Sequence, residues 1–245
     1  MSEAFAHVLT RSCGWRAARL AALLLCLVLA GCGDSEPDQR KAFIHFLQTF
    51  IVDKPGVHVP KPTDDDIKSF GPYATHYTLI VNFTSNPEMI NIGAKMTEVT
   101  RTTDIHSIEQ LLAHRAEIRA VSADLDKLRD AMNREFDKAT AARGALQQPD
   151  DLKAVFDKAF ERDVAAPVRG FNDAIPIAIA IATTSAGLGD YIDSHRNRVE
   201  ISGTSVAGKD AQTNKDLNGF LKSLVTDGAR FHQAQQRLNA ILQGG

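Results

Sequence analysis

Tryptophan occurs once in the 245-residue chain and cysteine three times. Three cysteines cannot build a disulfide scaffold. The 28 basic and 30 acidic residues leave a net charge of -2, which excludes the strong basic field of a general nucleic-acid binder. No apolar run reaches the roughly 18 residues that a bilayer-spanning helix needs. Chemical motifs are scarce as well. No two histidines stand in an HExxH arrangement, and Gly187-Leu-Gly189 is too short a signal for a phosphate loop. What remains is an ordinary globular balance, 44% hydrophobic and 24% charged, in a length that fits one domain or two small ones.

The N-terminus changes the inventory. Arg11, Arg16 and Arg19 precede the apolar run Leu20–Ala30, which has the length of a signal-peptide core. The run ends in Leu29-Ala30-Gly31-Cys32, which resembles a bacterial lipobox. Small side chains let the backbone enter a peptidase cleft, and the Cys thiolate is the nucleophile that takes up a diacylglyceryl group. The resemblance implies cleavage before Cys32 and acylation at Cys32, the one candidate site residue. Three segments follow: a cleaved leader at 1–31, a lipidated tether at 32–37 and a body at 38–245. Losing the leader removes Trp15, Cys13, Cys26, Glu3 and three arginines, so 25 basic and 29 acidic residues remain and the net charge is -4. The sole remaining sulfhydryl is committed to lipid, which excludes thiol catalysis and thiol metal sites. Two or three acyl chains, at about 0.8 kcal/mol per buried CH₂, hold a protein on a membrane without a spanning helix.

The body reads as helices. Phe43, Phe46, Leu47, Phe50 and Ile51 make an amphipathic stripe that Pro55, Gly56, Pro60 and Pro62 end. Thr63 caps a helix whose first turn is Asp64-Asp65-Asp66, with carboxylates at the positive end of the dipole. Asn86-Pro87 is a breaking point in the stretch up to Val99. From Ile105 to about Arg143 a near-heptad stripe predicts about forty residues of helix, roughly 60 Å long. A turn at 147–149 opens the next helix at Asp150-Asp151. Ala174–Gly189 carries no Lys, Arg or Glu and is rich in small residues. Its isoleucines at 175, 177, 179 and 181 have a strand's period, but its alanine density and length favour a helix buried on most sides. Val199–Gly208 reads as a small hairpin or loop, and a last helix follows. The fold class is all-α: an elongated bundle of long antiparallel helices with a small β-hairpin near 199–208.

No catalytic constellation emerges. His106 and His114 are two helical turns apart, too far to share a metal, and His114 reads as a satisfied interface residue. Gly203-Thr-Ser205 lacks the spacing of a nucleophile elbow and reads as a hairpin tip. Tyr73, Tyr77 and Tyr191 interrupt a Phe-rich pattern and are expected at helix interfaces or along a groove. Phe70-Gly71-Pro72-Tyr73 breaks an otherwise helical run.

The lipobox, Asp38–Gln48, Phe70–Tyr73, Asp150–Phe160 and Gly189–Ile192, in this order, resemble the YiaF-like lipoproteins of Gram-negative bacteria, classed as a domain of unknown function (DUF3053). The resemblance implies a periplasm-facing lipoprotein and transfers no catalytic residue or cofactor. Three functions follow in order of expectation. The first is a lipid-anchored helical interaction or structural protein, with the membrane held through Cys32 and an envelope protein as candidate partner. The second is a binding module for an apolar ligand, a lipid or fatty acid, recognisable by a closed pocket around Ile175–Ile181 and the tyrosines. An enzyme is third. Asp34 stands one place beyond the position that marks inner-membrane retention in enterobacteria, which favours the outer membrane. Oligomeric state is not legible.

Overall fold

A computed structural model describes residues 35–92 and 106–244. The lipobox and Cys32 lie outside them. The first helix, α1, spans Glu36–Leu47 and continues as a π-helical turn over Gln48–Val52. It therefore begins inside the segment assigned to the tether. Pro37 sits in its first turn, where a missing N–H costs nothing, and Glu36 and Asp38 complement the dipole. The next helix, α2, covers Asp64–Phe70. Its capping box is complete: Thr63 Oγ1 accepts from Asp66 N–H at 3.1 Å, and Asp66 Oδ2 accepts from Thr63 N–H at 2.9 Å.

The Phe70–Tyr73 interruption now has a cause. Gly71 has φ +55°, and a Cβ there would lie 2.3 Å from Gln39 Oε1. The positive φ favours glycine, while the Gln39 side-chain end could move aside for a larger residue. The resulting 3-10 turn, Gly71–Tyr73, aims Tyr73 under α1, where its hydroxyl donates to Glu36. Helix α3, Ala74–Thr84, follows. The break expected at Asn86-Pro87 is present, and 87–92 is helical again. Rings fill the layer between these helices and the start of the long one below. Phe46 lies 5.1 Å from Phe70 and 5.3 Å from Tyr77, and Phe43 lies 6.5 Å from Phe156.

Three long helices form the rest. The forty-residue helix expected from Ile105 is instead α4, Ile108–Ala113, and α5, Arg115–Gly144, with a break at His114 (φ -103°, ψ 14°). The stripe between Leu111 and Ile118 should place an apolar residue at 114 or 115. His114 and Arg115 stand there, so nothing in the core holds the helix straight. Next come α6, Asp150–Phe160, a π-helical turn at Glu161–Ala165 and α7, Ala166–Ser194. They form one helix of 45 residues. The 174–182 segment is helical, as the alanine density indicated. Strands β1, Val199–Ser202, and β2, Ser205–Gly208, pair antiparallel, and α8, Ala211–Gln243, closes the fold. Asp210 caps α8 by accepting from Thr213 N–H at 2.8 Å.

Both α5 and α8 run antiparallel to α7. Arg119 pairs with Asp190 and Asn133 with Asn172, while Tyr191 bonds Asp216 and Gly170 faces Leu238. Buried side chains form one continuous cluster from Phe43 to Leu217. The fold is thus a helical bundle with a small hairpin, as its sequence pattern implied.

Candidate functional site

One 18-residue window of the long helix is apolar enough to cross a membrane by length and composition. In this fold it lies between α5 and α8, yet only 33% of it is buried. The expectation of a helix buried on most sides holds over 174–189, where only Pro176 and Thr183 are exposed, but the cover over one side is incomplete. Ile177, Ala178, Ile179, Ala180 and Ile181 are half-buried, while Ile175 is fully covered. The reason is geometric. Helices α5 and α8 each pack on α7 but stand apart above it, and the floor they leave mixes small side chains with Ile181 and Leu188.

The result is an apolar groove of about 670 Å³. Ala178, Ile181, Ala182, Ser185 and Leu188 form its floor on α7, spaced three and four apart as one helical face requires. Ile118, Val121 and Leu125 of α5 make one wall, and Leu221, Leu224 and Phe231 of α8 the other. Ile108 and Leu111 of α4, with Thr204 of the hairpin turn, close one end. His106, Ser107, Ser185 and Thr204 are the polar residues of the lining, and no charged side chain belongs to it among the described residues. A volume of this size is typical of small-ligand sites, about 300–1,000 Å³.

Charged contacts at the closed end fix the walls. Arg115, at the start of α5, reaches Asp193 Oδ2 at 3.1 Å and Asp190 Oδ1 at 3.6 Å near the end of α7. Arg196 and then Arg115 hold the Asp193 carboxyl below its ordinary value. A Cβ on Gly189 would meet Arg115 Cδ at 2.6 Å, so the bare backbone lets the guanidinium cross. On the other flank Tyr191 donates to Asp216 Oδ2 at 3.0 Å, stacks on His195 at 4.2 Å and packs against Phe220 at 5.7 Å. These ties anchor both walls to α7 and leave the space between them open.

The sequence expectations divide. The pocket sought around Ile175–Ile181 exists at Ala178 and Ile181, but it is a groove rather than closed, and the tyrosines do not line it. Tyr73 and Tyr77 lie at the opposite end, where Tyr77 donates to Pro60 O at 2.7 Å. His114 is satisfied by Glu117 at 2.6 Å but is exposed rather than at an interface. The nucleophile-elbow residues form the hairpin turn. No group of three or more His, Cys, Asp or Glu stands ready to hold a metal among the described residues. The α5 and α8 walls were not legible because they are far from α7 in sequence. The one legible signal, small residues at 178, 182 and 185, is also the signal of two helices in close contact.

A second feature was also missed. Asp163 is 2% exposed in the π-helical turn that joins α6 to α7. Its Oδ1 accepts from His58 N–H at 3.1 Å, and its Oδ2 has no partner. Burial pushes its carboxyl up to about 7, against the pull of the His58 N–H and the Arg162 charge. Burial, and then the Asp163 charge, raise the Tyr77 hydroxyl.

A family model described as "Protein of unknown function (DUF3053)" matches residues 20–239. The chain is 30% identical to "Uncharacterized protein YiaF" of Escherichia coli strain K12 over 224 residues, 91% of this chain and 94% of that one. The same identity and coverage hold for the proteins of that name in Escherichia coli O157:H7 and Shigella flexneri. No solved structure matches.

Proposed function

The chain belongs to the DUF3053 family, and on that premise we propose a lipid-anchored envelope protein whose helical body binds an apolar ligand rather than catalysing a reaction. The groove of about 670 Å³ is the observation that carries the reading. A core helix with an uncovered apolar floor loses burial unless something fills it.

The anchor rests on the lipobox. Acylated Cys32 stands three residues before Ser35, and the body faces the periplasm, with the outer membrane favoured by the position of Asp34. Arg40 of α1 lies 3.5 Å from Asp151 of α6, so the tethered end is the α6 end of the long helix. From Asp151 to Ala182 is some thirty helical residues, about 45 Å. The groove therefore lies toward the other end of the long helix from Ser35.

Two measurements test the reading. Radiolabelled palmitate enters the wild-type chain and not Cys32→Ser; equal labelling of both contradicts the anchor. Fractionation alone is insufficient, since an uncleaved leader also holds a chain on the membrane. For the groove, the full chain in phospholipid nanodiscs binds one anilinonaphthalene sulfonate saturably, and Ala178→Phe abolishes the binding. An unchanged titration with Ala178→Phe contradicts a binding groove.

A further inference from the structure

We propose that Asp163 works as a proton-operated latch: protonated, it lets the strap at 53–62 close over the long helix, and ionised, it lifts residues 58–61 of that strap and admits water. The strap joins α1 to α2 and carries no helix or strand of its own. Isolated bonds seat it. Arg162 Nε and Nη1 donate to Gly56 O at 2.9 Å and to Val52 O at 3.1 Å. Val57 N–H donates to Leu242 O near the end of α8 at 3.1 Å. Tyr77 donates to Pro60 O, and His58 N–H to Asp163 Oδ1.

Neither an ion pair nor a helix terminus accounts for the acid. It is 2% exposed and lies well past the start of α6. A carboxylate has about four acceptor positions. Asp163 receives one bond, and its Oδ2 has no partner. A buried charge so poorly satisfied is relieved either by a proton or by water. The groups around it offer no third route. Arg162 directs its guanidinium at the strap carbonyls. Glu161 pairs with Arg169, Asp157 of α6 pairs with Lys153, and Lys158 is exposed. From α3 come the Tyr77 hydroxyl, bonded to Pro60, and His76, bonded to Gln148. The π-helical turn of α1, Gln48–Val52, has no titratable side chain, and neither has the end of α8 at 240–243. The strap turns its His58 backbone to the acid and leaves the residue exposed. Burial holds the Asp163 carboxyl up at about 7, so the choice between proton and water falls near neutrality. The proton lost passes to the water that enters. Helices open cooperatively, whereas the strap rests on single bonds, so the strap yields first.

Hydrogen exchange of the full chain in phospholipid nanodiscs, resolved to single amides by mass spectrometry, tests the latch. The protection factor of the His58 amide, corrected for its intrinsic rate, is expected to fall at least about tenfold from pH 5 to pH 7 and to level off near pH 8. Adding about 1 M urea leaves it unchanged at each pH, because so small an opening exposes little surface. Asp163→Asn and, independently, Asp163→Thr abolish the fall, each variant being checked by thermal melting. His58→Gln keeps it, which separates the carboxyl from the neighbouring imidazole. Protection that does not change with pH in the wild type overturns the latch, as does a fall that survives both substitutions of Asp163 or vanishes in His58→Gln. Protection that urea lowers in step with the amides of α5 assigns the exchange to global unfolding and overturns the latch as well.

Discussion

The backbone N–H of Ile108 donates to the carbonyl of Gly203 at 3.1 Å and joins the first turn of α4 to the hairpin turn. This bond closes one end of the groove with two segments ninety-five residues apart. Ser107 organises it, because its hydroxyl caps α4 through Gln110 N–H. Ser107→Ala is expected to cost about 0.5–2 kcal/mol. The loss should be local. Amide hydrogen exchange should accelerate at 108–111 and in the hairpin, while the middle of α5 keeps its protection. Uniform acceleration along α5 would show that the cap serves the whole bundle instead.

Asp163 gives the fold a pH dependence whose sign is fixed. Its folded value is raised from 3.8 to about 7, chiefly by burial. Protons therefore favour the folded state. The stabilising contribution is complete below about pH 4 and disappears as pH rises through about 7. Asp163→Asn removes the ionisation but keeps an acceptor for His58 N–H. The variant should melt at a nearly constant temperature from pH 5 to pH 8. At pH 8 its stability relative to the wild type should be higher than at pH 5, since only the wild type then carries a buried charge. Parallel melting curves for the two proteins across this range would contradict the assignment.

Much of this architecture is legible in the residues. The stripe from Ile118 to Phe136 is continuous because α5 packs against one helix along most of its length, and a single contact direction leaves a single period. His114-Arg115 even marks the break, since two polar residues occupy the place of an apolar one. The isoleucines of α7 mislead because that helix has contacts on three sides. Ile175 points into the core and Ile181 into the groove, so their spacing follows no single face. Asp163 gave no signal: one acid beside an apolar run is common on exposed helices, and only the packing of residues 56–60 over the π-helical turn buries it. The groove depends on the distance between α5 and α8, and no local pattern encodes that distance.

At the tethered end, rings carry the stability. Phe156 is fully buried and lies 6.5 Å from both Phe43 and His76. Burial also lowers the His76 imidazole below its ordinary value. Phe156→Ala should cost about 3–5 kcal/mol, as ring removal from a packed core usually does. Urea unfolding measures it directly. A loss below about 1 kcal/mol would mean that α1 and α2 collapse into the space, contrary to the close packing described.

The binding of an apolar ligand in the α5–α7–α8 groove is tested most directly with a tryptophan placed in its wall. The leader holds Trp15, the only tryptophan, so Phe231→Trp makes a single reporter in the processed chain. The measurement is its emission spectrum, in nanodisc-bound protein, during titration with palmitate. The expected result is a saturable blue shift that disappears when Ala178→Phe is added to the same chain. An emission that stays fixed through the titration, or shifts equally with Ala178→Phe present, would contradict it.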